Sequence, residues 1–175
     1  MARLSDTSGR EALLKASRLR AGQVLDVGVG ECACMAFFLA RRGFDVTGVD
    51  RSPHAVHVAR KSADTRRFKG TFVARRADAT NLPFEDGVFD AVIAFHSLHH
   101  VDGPVQAMRE MFRVCRPGGM VLIADLHGAG RKIYSHEADH HELLQAIERY
   151  TRRRSSDVTI ADTRLDRLFI CRKRA

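Results

Sequence analysis

Glycines, aspartates and histidines are the residues of this 175-residue chain best suited to chemistry. In VLDVGVGECAC, residues 24–34, Gly28 and Gly30 follow Asp26 with one residue between each. Glycine permits a tight turn and lets a ligand approach bare backbone with no Cβ in the way. Asp50 closes the next apolar run, FDVTGVD, about 20 residues further on. A carboxylate there can accept hydrogen bonds from both hydroxyls of a ribose. Turn and acid together point to an adenosine-bearing cofactor and leave NAD open. Nine histidines supply candidate bases near neutral pH. His96, His99 and His100 lie in FHSLHH, His127 ends ADLH, and His136, His140 and His141 crowd YSHEADHHELL. On a helix His136 and His140 would share a face. With Glu137 they offer metal-ligand types, but in no fixed metal motif, and no metal is expected.

These residues need elements to position them. GQVLDVG, FDVTGVD, TFVARRAD, VFDAVIAFHS and MVLIADLH read as five strands, each a short apolar run with a turn signal at its end. ECACMAFFLARR is apolar nearly all round, which suits a helix pressed on a sheet, with Gly43 ending it. SPHAVHVARKSA has Ser52 as N-cap and Pro53 at the first helical position. PVQAMREMFRVC is spaced as a helix, and RPGG as a turn. A helical region is expected from about 131 to 154, and DVTIADT and RLFICRK as a terminal antiparallel hairpin within 155–175. Residues 1–20 have room for one helix. Strand–helix alternation with apolar strands implies a mostly parallel, Rossmann-like α/β sheet with helices on both faces. Ligands of such sheets lie beyond the carboxyl ends of the strands, where strand order reverses. Asp26 to Glu31, Asp50, Asp78, His96 to His100 and Asp125 to His127 all fall at such ends.

The ordered set VLDVGVG, VTGVD, ADATNLPFEDGVFDAV and RPGGMVLIAD resembles the class I S-adenosylmethionine-dependent methyltransferases. It is closest to the broad group that includes ubiquinone-biosynthesis C-methyltransferases. The resemblance covers about residues 20–175 and implies seven strands in the order 3-2-1-4-5-7-6. It implies S-adenosylmethionine as cofactor, with S-adenosylhomocysteine as product. Asp26, Gly28 and Gly30 would lie beside its methionine part. Asp50 would hold the ribose hydroxyls, and Arg51 would flank the adenine. Asp78 would accept from the adenine amino group, with the Ala79 backbone against the ring. Phe95 and His96 would line the sulfonium side. The family's third glycine is Cys32 here, a small substitute expected to be accommodated. On the acceptor side His99, His127 and His136 are the candidate catalytic residues.

Composition narrows the partners. Apolar residues make up 45% and charged residues 29%, as in an ordinary globular protein. One domain, 1–175, is expected, with no membrane span and no secretory leader in MARLSDTSGREALLKASRLR. Four scattered cysteines read as reduced thiols, so a cytoplasmic location is expected. The net charge is +8, and from Arg149 onward nine Lys/Arg face three Asp. That basic end suits nucleic acid, but it lacks interleaved aromatic residues for base stacking. The Asn/Asp-Pro-Pro-Tyr/Phe signature of nucleic-acid amino methyltransferases is also missing where FHSLHH stands. A small-molecule acceptor is therefore favoured over RNA or protein. The remaining readings are a non-catalytic cofactor-binding subunit and a nucleotide-dependent oxidoreductase. The short chain has no separate lid insertion, and an open site would suit a large acceptor, a partner subunit or a homodimer.

Overall fold

The computed structural model describes residues 7–127 and 140–175, with side chains from residue 9 onward. Seven strands form one sheet: β1 (Gln23–Val27), β2 (Asp45–Asp50), β3 (Thr71–Arg76), β4 (Phe89–Phe95), β5 (Cys115–Leu126), β6 (Ser155–Asp162) and β7 (Asp166–Lys173). Their order is β3-β2-β1-β4-β5-β7-β6. The first five run parallel, and β7 pairs antiparallel with both β5 and β6. Strand order reverses between β1 and β4, so their carboxyl ends open a crevice for ligands.

Strand alternation feeds two cores. On one face Val24, Val46, Ile93 and Leu122 pack with α1 (Thr7–Ser17), α2 (Cys34–Ala40) and α3 (Pro53–Asp64). On the other, Leu25, Val92, Val121 and Phe169 meet α4 (Pro104–Val114) and α5 (His141–Arg154). β4 is buried on both faces, which is why VFDAVIAF is apolar almost throughout. Ser52 Oγ accepts from the Ala55 amide at the start of α3, behind Pro53. The expected helix from about 131 is observed as α5 from His141; its earlier part lies outside the described residues. RPGG, expected as a turn before strand five, lies within β5 instead: the β4–β5 ladder jumps from Phe89–Cys115 to Ala91–Met120, and the four residues between bulge out.

One arginine closes the lower edge. Arg113, in the last turn of α4, donates to the Leu82 and Phe84 carbonyls, to both Glu110 oxygens and to Asp86. The loop between β3 and β4 is thereby tied to α4. Arg113 holds the Glu110 carboxyl below its usual range, with the Leu82 amide donating to the same group. The stability from Glu110 is therefore present above its unfolded pKa and is lost as pH falls through the lower folded value. Arg113→Ala takes the cation from the buried Glu110 carboxylate and the side-chain donor from the Leu82 and Phe84 carbonyls. Urea unfolding at pH 7 should show a loss of about 3 kcal/mol, and that loss should shrink as the pH falls and Glu110 protonates.

Candidate cofactor and acceptor site

β1 runs into the glycine turn because backbone must pass where side chains cannot. The amides of Gly28 and Val29 both donate to the Val49 carbonyl, at 2.8 and 2.9 Å. A Cβ on Gly28 would lie 2.4 Å from the Cβ of Ser97, whose hydroxyl donates to the Val27 carbonyl. Gly30, also at positive φ, faces open space instead. Cys32 is exposed, and the left-handed conformation falls on Ala33 (φ 44°), one residue later. The position of the missing third glycine thus needs no positive φ, and cysteine fits without blocking the turn.

A cavity of about 360 Å³ opens above the turn at the β1/β4 switch, within the usual range of about 300–1,000 Å³ for small-molecule sites. Gly28, Gly30, Asp50, Arg51, Asp78, Ala79 and His96 all line it, as the sequence suggested. Asp50 Oδ2 accepts from the Gly30 amide and Oδ1 from the Ser52 amide, each at 2.9 Å. A carboxylate offers about four lone-pair positions, so both oxygens can still accept ligand hydroxyls. Asp78 Oδ1 accepts from the amide and hydroxyl of Thr80, and these bonds hold its carboxyl below the usual range. Arg51 meets Asp102 at 2.9 Å across the mouth, an exposed pair. Such a pair contributes at most about 1 kcal/mol.

Two of the named residues lie behind the cavity wall. Asp26 is buried beneath the turn. Burial first, then the nearby Cys32 and Asp50 charges, push its carboxyl up to about 7. The Phe95 ring packs against His96, with centroids 4.3 Å apart, on the side of the α1 core. Ser97 and His100, inside the strand-end stretch His96 to His100, line the cavity as well; Asp102 lines it and was missed. A polar side chain seven residues beyond a strand end has no local signature of the direction it faces.

The histidines divide by position. His96 adopts φ 54°, and its Nε2–H donates to the wholly buried Asp166, at 2.5 Å, on the first residue of β7. His99 sits on a short 3-10 turn, Leu98–His100, and its Nδ1–H donates to buried Asp125 at 2.6 Å. Its ring lies 4.0 Å from that of His100, which lines the cavity. His127 is turned to the hairpin, where Nε2–H donates to the Thr163 carbonyl, and is not among the cavity-lining residues. His136 lies outside the described residues. Asp166 carried no sequence signal, because its partner is 70 residues away.

With this geometry in place, comparison with known proteins identifies the class. Residues 25–123 match the methyltransferase domain family. The chain belongs to that family, the class I S-adenosylmethionine-dependent methyltransferases, and S-adenosylmethionine is the cofactor the family implies. It is 33% identical over 137 residues to the O-methyltransferase rstn1 of Aspergillus nomiae, covering 78% of this chain and 61% of that protein. It is 40% identical over 121 residues to a demethylmenaquinone methyltransferase of Beutenbergia cavernae, covering 69% and 48%. The chain therefore spans roughly half to three-fifths of the length of these two relatives. Among solved structures, an S-adenosylmethionine-dependent methyltransferase of Methanococcus maripaludis superposes with a TM-score of 0.80 at 19% identity, over 95% of this chain and 84% of that one, which shows the fold.

Asp26 yields a pH test. Its carboxyl is neutral more readily in the folded chain than in the unfolded one. Its contribution to stability therefore falls as pH rises from its ordinary value of 3.8 to about 7, and stays low above that. Urea unfolding at pH 5 and pH 8 should show a smaller loss on going to pH 8 for Asp26→Asn than for the wild type. An equal loss in both would show that Asp26 ionises as freely as in water.

Proposed function

We propose that this chain, read as one cytoplasmic domain, transfers the methyl group of S-adenosylmethionine to an oxygen of a small-molecule acceptor. The observation that carries this is the cavity at the β1/β4 switch, where the glycine turn, two carboxylates and the histidine-bearing end of β4 meet. Its residues fit the cofactor. Gly30 leaves room at the turn for the methionine part. Asp50 accepts from the ribose hydroxyls, and ionised Asp78 accepts from the adenine amino group. Arg51 and the Ala79 backbone flank the ring, and His96 closes the sulfonium side with Phe95 behind it.

The cofactor, when bound, supplies a methyl group already activated on sulfonium. The protein's part is to align the acceptor, exclude water and receive a proton. His99 takes that proton in this reading. Asp125 fixes its ring orientation, and its ring packs against that of His100, which lines the cavity. His127 serves the hairpin instead. A small acceptor is supported by the names of similar proteins, an O-methyltransferase and a demethylmenaquinone methyltransferase. It is also supported by where the cations lie. Arg109, Arg153, Arg154 and Lys173 border a groove at the opposite end of the sheet, by the start of β5 and the end of β7, away from the acceptor side.

Thermal unfolding with S-adenosylmethionine, S-adenosylhomocysteine and NAD tests the cofactor site. At about 100 times its dissociation constant a ligand adds about 2.7 kcal/mol, or roughly 5–10 °C in a chain of this size. Both sulfur compounds should shift the midpoint and NAD should not; no shift with either sulfur compound sinks the reading. Asp50→Ala should abolish the shift. His99→Ala should keep it while lowering turnover of any acceptor found by screening, by about 10²–10⁴-fold.

A further inference from the structure

We propose that His99, Asp125 and His140 form a binding site for one divalent transition-metal ion beside the cofactor cavity. Each residue offers one ligand atom, and the three atoms lie within 4.8 Å of one another. They come from three separate elements: the 3-10 turn after β4, the end of β5, and the residue that precedes α5. The His99 side chain is 4% exposed, and Asp125 and His140 are 0% and 3% exposed.

A buried carboxylate between two imidazoles is costly unless each polar atom is satisfied. Asp125 Oδ1 is: it accepts from His99 Nδ1 and from the Leu126 amide. Asp125 Oδ2 is buried and has no hydrogen-bond partner among the described residues. A buried carboxylate oxygen left over beside two imidazoles is what a metal ion would satisfy. His140 occupies the N-cap position of α5, yet its side chain does not cap the helix. Its ring is stacked on His99 and its Nδ1 lies 3.8 Å from Asp125 Oδ1. It is therefore turned into the cluster rather than toward the helix end, where serine, threonine or aspartate would normally serve.

Two histidines and one carboxylate suit Zn²⁺ and its neighbours and leave a coordination position open. The 2.6 Å between His99 Nδ1 and Asp125 Oδ1 is a hydrogen bond. Two ligands of one tetrahedral ion stand about 3.3 Å apart. Loading must therefore release the shared proton to solvent or move it to His99 Nε2, part these two groups by about 0.7 Å and tilt the stacked rings edge-on to the ion. The use of the open position rests on the methyl-transfer reading: it would take the acceptor oxygen and favour its deprotonated form. Ion binding itself does not depend on that reading.

The test uses the full chain, tag removed, in a Cys32→Ser/Cys34→Ser background so that the exposed thiols do not bind metal. Zn²⁺ is added, excess is dialysed away, and bound metal is measured by elemental analysis. Co²⁺ spectra report the ligand type. About one Zn²⁺ per chain is expected, with Co²⁺ bands of nitrogen and oxygen ligation. Asp125→Asn and His140→Gln should each weaken Zn²⁺ binding by at least about 10-fold, while both keep the thermal shift given by S-adenosylhomocysteine. That shift shows that the variants are folded. Sub-stoichiometric metal in a chain that still shows the shift, or equal metal in both variants, overturns the site. Metal bound with no shift from either sulfur compound would instead overturn the methyl-transfer reading and leave the metal site standing.

Discussion

The carboxylate of Asp50 joins three pieces of backbone that must stay in register for a cavity to exist. One oxygen takes the Gly30 amide of the glycine turn and the other takes the Ser52 amide at the mouth of α3. The Val49 carbonyl, one residue earlier, takes the Gly28 and Val29 amides. The end of β2 therefore satisfies the turn after β1 and the start of α3 together. Glycine at position 28 allows Ser97 to press from the β4 side, closing the floor between β1 and β4. The cavity is as much a product of these backbone bonds as of the side chains that line it.

Around that floor several carboxylates are buried almost completely. Asp26, Asp125 and Asp166 are 2% exposed or less, and each sits at or near a strand end facing the ligand side. Each is handled differently. Asp26 is held close to neutrality by burial. Asp166 is matched by His96 and braced by Thr163. Asp125 is matched by His99 on one oxygen only. Burying three carboxylates weakens a fold, and such groups persist where the geometry they impose serves the site. His96 shows the same trade: its left-handed backbone is uncommon for a side-chain-bearing residue and turns the ring onto Asp166 at the cavity edge.

What the sequence revealed follows from the range of each signal. Strands, helices and the terminal hairpin were legible because apolar period, Ser52–Pro53 and the glycines act over a few residues. Strand order came through resemblance, since no local signal says that β4 pairs with β1. Gly28, Gly30, Asp50 and Asp78 were legible because they close strands that the sheet brings side by side. The pairing of the buried carboxylates with histidines was not. His99, Asp125 and His140 are 26 and 15 residues apart, and Asp166 is 70 residues from His96. Three histidines near strand ends looked equivalent as candidates, yet His99 reaches Asp125 while His127 folds back to Thr163. Only the hairpin's path, which brings Thr163 to Asp166 over β5, separates them.

The basic carboxyl end has a structural use that the charge count conceals. α4 and α5 both end near the β6–β7 edge, where their last carbonyls carry partial negative charge. Lys173 Nζ donates to the Cys115 and Arg113 carbonyls at the end of α4, and Arg174 donates to the Ser155 carbonyl at the end of α5. Arg154 lies over the Tyr150 ring, which packs edge-on against Phe112 of α4. Three of the nine basic residues from Arg149 onward thus help to close two helix ends against the final strand. The sheet keeps this work at one end and its buried carboxylates at the other. The strand ends at the β1/β4 switch present aspartates and histidines, with that basic groove at the far end of the strands.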